Sequence, residues 1–549
     1  MSASETQDQF QTRNQPKPER DIIIIGAGVC GIYQLYKLLE LGLNVTVLET
    51  GTGPGGTWYW NRYPGCRFDS ESWSYGYSFS KELLEEWNWS ENFSGQPETL
   101  RYLEHVVEKF DLLQYMQFGC KVERATWDED ARIWTVFLEN GRSHTCRFLM
   151  TAIGLLSAAT EPKIEGMESF KGESFHTYYW PHEPVEVKGK KVAVIGTGAT
   201  GVQVIAELQD KVDQLTVFQR RPNWCAPLNN SKINDDEMTE IKASYDEVFT
   251  RCAETNGGFI HGAVRRELFD VPEEERLEFW ENLYNSPGFG IWLGNYYNVL
   301  TDEKANAEFS RFIADKIRGR VNDPEVAEQM IPTDHGFGVQ RVPMETNYYE
   351  AYNRDNVHLV NIEKTPIERI TPEGIKTSAG EYEFDIIVYA TGFDAITGSF
   401  DRIDIEGVDG LKLRDKWIDN PITYLGVQIS GFPNLFTLAG PTAGSNSTNF
   451  PRGIEAGVNW ATDLVGHILA NNITRVEATT EAEEEWTANV KHLYSKLLLR
   501  KAKSWFTGYN SNVEDHDKIR YLIYNGGAPN YRQRLADVAA NSYEGFEVD

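Results

Sequence analysis

Two stretches of this chain repeat one pattern: a short apolar run, an immediate Gly-x-Gly-x-x-Gly, and a following segment of helical period. The first is Asp21-Ile22-Ile23-Ile24-Ile25 with Gly26, Gly28 and Gly31; the second is Lys191-Val192-Ala193-Val194-Ile195 with Gly196, Gly198 and Gly201. An apolar run that does not alternate with polar residues is the pattern of a parallel strand buried on both faces. The three glycines allow in turn a tight turn, close approach of a pyrophosphate to the backbone, and close packing of the helix on the strand. Two such units predict an α/β protein with two Rossmann-like dinucleotide-binding domains.

The residues at the end of the next strand distinguish the two units. The run at 44–48 ends in Glu49, and a carboxylate there holds a ribose 2′-hydroxyl, so the first unit suits FAD or NAD. The run Leu215-Thr216-Val217-Phe218 ends in Gln219-Arg220-Arg221 instead. Two guanidiniums in place of a carboxylate exchange recognition of a bare ribose for that of a 2′-phosphate, so the second unit predicts NADP(H). Thr197, Thr200 and Gln203 join its candidate cofactor-binding residues.

Between the units lies Phe170-x-Gly172-x-x-x-His176-x-x-x-Trp180-Pro181, and after the first comes a stretch of glycines and aromatics, Gly56-Thr57-Trp58-Tyr59-Trp60 through Tyr63 to Asp69. Together these resemble the Baeyer–Villiger monooxygenases, flavoenzymes that use NADPH and O2 to insert one oxygen atom next to the carbonyl of a ketone. The resemblance implies FAD in the first unit, reduction of that FAD by NADPH, and ester or lactone formation through a C4a-peroxyflavin. It places Gly56, Thr57, Trp58, Asp69 and Tyr75 at the flavin and Trp505, in Ser504-Trp505-Phe506-Thr507-Gly508, on a loop that closes over NADP. It also puts Ser445, Asn446 and Phe450 in the ketone pocket, and the residues 170–181 fingerprint in a hinge, where His176 has no acid–base role. Arg341 then steadies the anionic peroxide and the oxyanion of the adduct, oriented by Asp69. At residue 340, among the cofactor-binding positions, the family carries Lys; this chain has Gln340.

The family likeness suggests a division into a disordered tail at 1–20, an FAD-binding domain from 21–153 and 391–549, an NADP-binding domain from 154–228 and 337–390, and a helical insertion at 229–336 that carries Trp280, Trp292, Tyr296 and Tyr297. Helical structure is expected from 82 to about 113, with a helix start at Gln96-Pro97-Glu98; one strand is expected from 382 to 390 and a solvated acidic face at 481–485. The likeness runs from about 21 to 510. A formal net charge of −29 disfavours nucleic acid and anionic membranes as partners. No window is long and apolar enough to span a bilayer, and six cysteines without a Cys-x-x-Cys pair suggest reduced thiols and no metal site. The expectation is a cytoplasmic monomer acting on a small-molecule ketone and O2. Two other readings stay open: a flavin-containing or N-hydroxylating monooxygenase acting on N or S atoms, and a non-catalytic NADP(H)/FAD-binding redox sensor.

Overall fold

The computed structural model of the chain describes residues 17–513, 516 and 518–549. The expected tail at 1–20 falls largely outside these residues; where it is described, Arg20 already begins the first strand, Arg20–Ile25. Ile22, Ile23 and Ile24 are fully buried, as a strand covered on both faces requires. Its parallel neighbours are Val45–Leu48 on one side and Ser143–Thr151 on the other. Met116–Gln117 extends the sheet beyond Val45–Leu48, and Leu435–Thr437 pairs with the last part of Ser143–Thr151. The other edge is an antiparallel meander of Val122–Asp128 and Ile133–Leu138, closed by Asp404–Glu406. Ile133–Leu138 shows the alternate burial of a strand with one covered face.

The second sheet is wholly parallel, in the order Val357–Asn361, Gln214–Gln219, Lys191–Ile195, Ile386–Tyr389, Glu173–His176. Part of the residue 170–181 fingerprint is thus an edge strand, with His176 opposite Tyr389. Gly172 is required there because a Cβ would sit 2.4 Å from the Asp385 carbonyl oxygen. The single strand expected over 382–390 is two. Gly380–Glu383 belongs to a separate three-stranded antiparallel sheet, and only Ile386–Tyr389 joins the parallel one. Asp385 makes the break: its carboxylate accepts a 2.8 Å bond from the Lys191 amide, which anchors the turn between the sheets.

Within the helical stretch expected over 82–113, Lys81–Glu86 and Gln96–Lys109 are separate helices, the second starting at the expected Gln96 with Pro97 in its first turn. Glu98, in the first turn of the second, accepts from the Ser90 amide and hydroxyl at 2.9 and 2.7 Å and from the Ser94 hydroxyl at 2.6 Å, and so holds the intervening loop folded back. The insertion is pinched at its base, where Ala226–Pro227 pairs with Met344–Glu345. Its longest helix, Glu303–Arg320, ends in Arg320, which binds both Glu350 oxygens and Glu345. Trp280 is buried within the insertion, whereas Tyr297 is exposed and bonds Glu267.

The chain beyond 518 is integrated into the fold: Ala528–Ala540 is a helix, and Phe546–Val548 pairs with Val476–Ala478. The acidic run at 481–485 is not uniformly solvated. Glu483 is buried against Lys416 at 2.8 Å, and burial pushes its carboxyl up to about 7 against the pull of that ammonium. Among the described residues no helix is long and apolar enough to cross a membrane.

Candidate active site

The ends of the first parallel sheet open into a cavity of about 1150 Å³. Gly26, Gly28, Glu49, Gly56, Thr57, Trp58, Asp69 and Tyr75 all line it. Gly31 does not; it lies behind, where a Cβ would meet the Gly26 carbonyl oxygen at 1.9 Å, so its role is helix packing. Glu49 is buried, with one carboxylate oxygen accepting from the Ala27 amide at 2.8 Å and the other from the Gly51 amide at 2.7 Å. Both anchors come from loops at the strand ends and fix the carboxylate at the cavity wall. Trp58 donates to the Tyr75 hydroxyl at 3.0 Å, and Tyr75 stacks on Phe68 with ring centroids 4.3 Å apart. Burial holds the Tyr75 phenol far above its ordinary range, so it stays neutral.

Arg341 and Asp69 meet across 272 residues of sequence in a 2.8 Å ion pair. The Asp69 oxygen that binds Arg341 also accepts from the Met344 amide at 3.2 Å, while its other oxygen is buried with no partner among the described residues. Arg341 also donates to the Val342 carbonyl, and its guanidinium carbon lies 4.9 Å from the Phe289 ring and 5.8 Å from the Trp292 ring. These aromatics belong to the insertion, which supplies Phe259, Phe289, Trp292 and Leu293 to the cavity wall. Ser445, Asn446 and Phe450 line the same cavity at the start of the helix Phe450–Ala470. The Asn446 amide is held by the Gly440 carbonyl at 2.7 Å.

A second cavity of about 220 Å³ opens beside the second sheet, lined by Gly198, Arg220, Arg221, Gln340 and Trp505. Arg341 and Trp505 line both cavities and mark their junction. Gly196 and Gly201 are packing positions, each with a carbonyl oxygen within 2.4 Å of a built Cβ. Thr197 donates to the Arg221 carbonyl at 3.0 Å and so fixes the strand end. Thr200 and Gln203 face the first unit rather than the second cavity. Gln203 accepts from the Tyr63 hydroxyl at 2.8 Å and donates to the Arg67 carbonyl at 3.0 Å, and Thr200 also contacts the Tyr63 phenol.

The hinge residues divide between the two units. Phe170 packs on the second sheet, and Phe175 contacts Trp180 at 5.2 Å. Tyr178 stacks on Trp60 of the first unit at 5.5 Å, and Pro181 leads into His182, which contacts Tyr59. His176 is buried, its Nδ1 accepts from the Tyr178 amide at 3.1 Å, and burial pulls it down to about 4, so it is neutral. The two chain passages between the sheets also pair: the Thr160 amide donates to Gly392 at 3.0 Å and the Asp394 amide to Ala158 at 2.8 Å.

Lys503 and Tyr509, in the loop at 503–510 expected to close over NADP, reach the second cavity together with Ser511. Sequence reasoning missed Ile523, Asn525 and Gly527 of the C-terminal segment, which reach the first; their local sequence has no period or motif.

The residues fit two dinucleotides. Both glycine helices, Val29–Glu40 and Ala199–Leu208, start without a side-chain cap or an acidic residue in the first turn, leaving amide donors for phosphate. At the first, a Cβ on Gly56 would lie 2.7 Å from the Gly28 Cα, so the two loops form a groove that only a backbone can line. At the second, Arg220 and Arg221 border the cavity, and desolvation with the Arg221 charge presses the Arg220 guanidinium below its ordinary range.

Residues 19–238 match the flavin-binding monooxygenase-like family. The chain is 46% identical over 539 residues to 2-oxo-Δ3-4,5,5-trimethylcyclopentenylacetyl-CoA monooxygenase of Pseudomonas putida, covering 97% of this chain and 98% of that protein. It is 39% identical to the acetone monooxygenase (methyl acetate-forming) of Gordonia sp. (strain TY-5), over 96% of this chain and 99% of that one. A crystal structure of OTEMO in complex with FAD and NADP superimposes with a TM-score of 0.94 at 46% identity, covering 97% of this chain and 100% of that one.

Proposed function

Because the chain belongs to the flavin-binding monooxygenase-like family, among its FAD- and NADP-dependent Baeyer–Villiger monooxygenases, we propose that it inserts one atom of O2 beside the carbonyl of a small-molecule ketone, giving an ester or lactone. The observation that carries this reading is Arg341, held by Asp69 at 2.8 Å where the two cavities join. Units 21–153 with 391–549 bind FAD in this reading, 154–228 with 337–390 bind NADPH, and 229–336 form the wall over the ketone.

Bound flavin supplies the electrons that activate O2. The chain's own residues do the rest. Glu49 takes the ribose hydroxyls of FAD, and the Gly28–Gly56 groove takes its pyrophosphate. Arg341 places a permanent positive charge and a rigid fork of donors where negative charge develops on the ketone oxygen. Asp69 sets the direction of that fork, and Phe289 and Trp292 cover its faces and keep water from it. The walls around it, Phe259, Leu293 and Phe450, favour an apolar ketone. A monomer is the proposed state, and six buried cysteines outside any disulfide support the cytoplasm.

The test is the Arg341→Ala variant followed with NADPH, O2 and a panel of linear, cyclic and fused-ring ketones. Ester formation should fall by about 10²- to 10³-fold, as for loss of one preorganised donor. NADPH oxidation should continue more slowly with release of hydrogen peroxide, and Arg341→Lys should restore only part of the ester. Ester made by Arg341→Ala at near-normal rate, or N- or S-oxides as the sole products of the unmodified enzyme, would overturn the reading.

A further inference from the structure

Besides Arg341 at the junction, three cations from distant parts of the chain converge on the smaller cavity: Arg220 and Arg221 from the strand end, and Lys503 from the C-terminal loop. The Tyr509 ring links them, with the Arg221 guanidinium carbon 6.0 Å and the Lys503 ammonium 5.4 Å from its centroid. Arg220 donates to the Ser511 hydroxyl at 2.6 Å, tying the same loop to the strand end. The carboxylate at this cluster is Asp334, 3.4 Å from Arg221. Among the described residues no carboxylate lies within ion-pair distance of Arg220 or Lys503. In a chain with 82 acidic and 53 basic residues, such a concentration of cations suits a bound anion.

Gln340, on the same cavity, is a neutral amide. We propose that Lys503 is a further cation for the 2′-phosphate of NADPH, which is gripped from one side by Arg220 and Arg221 and from the other by the loop at 503–512. This rests on the NADPH reading above and deepens it. A phosphate dianion attracts an ammonium as a point charge, with no bidentate geometry needed, so a lysine can reach it from a different direction than the two arginines. The consequence concerns Trp505, two residues along the loop and at the junction of the cavities. The group that distinguishes NADPH from NADH then also draws Trp505 into place.

The experiment is isothermal titration calorimetry of the oxidised FAD holoenzyme with adenosine 2′,5′-bisphosphate and with adenosine 5′-monophosphate. The unmodified enzyme should bind the bisphosphate about 50-fold or more tightly than the monophosphate, and Lys503→Met should reduce that ratio about tenfold, the loss of one charged contact. Lys503→Arg should keep the ratio. Adding Gln340→Lys to Lys503→Met should recover it, which a merely structural role of Lys503 does not predict. Hydrogen exchange across 503–512 should slow with bisphosphate in the unmodified enzyme and less in Lys503→Met. An unchanged ratio in Lys503→Met, or equal loss for both ligands, overturns the inference and leaves the NADPH reading standing. Equal affinity for both ligands in the unmodified enzyme removes the NADPH reading and the inference together.

Discussion

The two glycine units are near copies in backbone and differ in what they close around. In the first, the Gly26 amide donates to the Leu48 carbonyl at 2.8 Å and the Ala152 amide to Ile25 at 2.8 Å; in the second, Gly196 donates to Phe218 at 3.0 Å and Ala390 to Ile195 at 2.9 Å. Gly26 and Gly196 have φ of +103° and +110°, and each would drive a Cβ well inside van der Waals contact, to 2.5 and 2.4 Å, with the Ala152 and Ala390 carbonyl oxygens. This register sets Glu49 against Gln219. The middle glycines part company: a Cβ on Gly28 would lie 3.3 Å from the Gly56 Cα, while nothing lies within 4 Å of a Cβ on Gly198. One frame thus holds a cofactor in a groove closed by a second loop, and the other leaves an open site bordered by guanidiniums and by a loop from the C-terminal region. The lesson is that affinity and exchange are set by what is added around the frame. On the proposed assignment, the first site should retain its nucleotide and the second should exchange it.

That contrast can be broken most directly at Glu49. Glu49→Ala removes a carboxylate that accepts two buried amide bonds, each worth about 1.5–3 kcal/mol, and its contact to ribose. FAD should be lost on gel filtration, read from the ratio of flavin absorbance to protein. Retention of full FAD would mean that the groove alone holds the cofactor.

The next effect lies between the units, at His176. Its folded value near 4 is below the ordinary 6.5, so the unfolded chain takes up a proton in that window and the folded chain does not. Its contribution to stability is complete above about pH 6.5 and is lost as pH falls toward 4, by up to about 3 kcal/mol. Denaturant titrations across this range should be flatter for His176→Gln than for the unmodified protein. Parallel curves would show that other groups dominate.

Gly56→Ala and Gly198→Ala set the closed and open sites side by side. The first should cost about 1–3 kcal/mol through strain at φ +53° and contact with Gly28, seen as a lower melting temperature. The second should leave the melting temperature within error and weaken the coenzyme instead, because its methyl enters the space that the nucleotide takes. Equal melting behaviour of the two would erase the proposed difference. The smallest effect is expected at Arg220. Arg220→Ala should narrow the preference for NADPH over NADH by about tenfold, measured as kcat/KM, because Arg221 and Lys503 keep part of the phosphate site.

Much of this protein was determined by the sequence alone. The two strand, glycine and helix units, the carboxylate against the paired arginines, and the aromatic run after the first unit are all local, and local order is set by backbone sterics and by periodic burial. Errors arose where long-range partners overruled local pattern. Asp385 anchors on Lys191 and divides a strand, and Lys416 draws Glu483 out of an acidic run into the interior. The tertiary structure alone decided which side chains meet: Arg341 with Asp69 across 272 residues, Arg220 with Ser511 across 291, and Phe289 and Trp292 over the guanidinium. Such encounters carry no periodic signal, because they depend on how sheets, insertion and C-terminal segment pack together. A charge or a ring becomes part of a site only when that packing removes water from around it and brings its partner within reach.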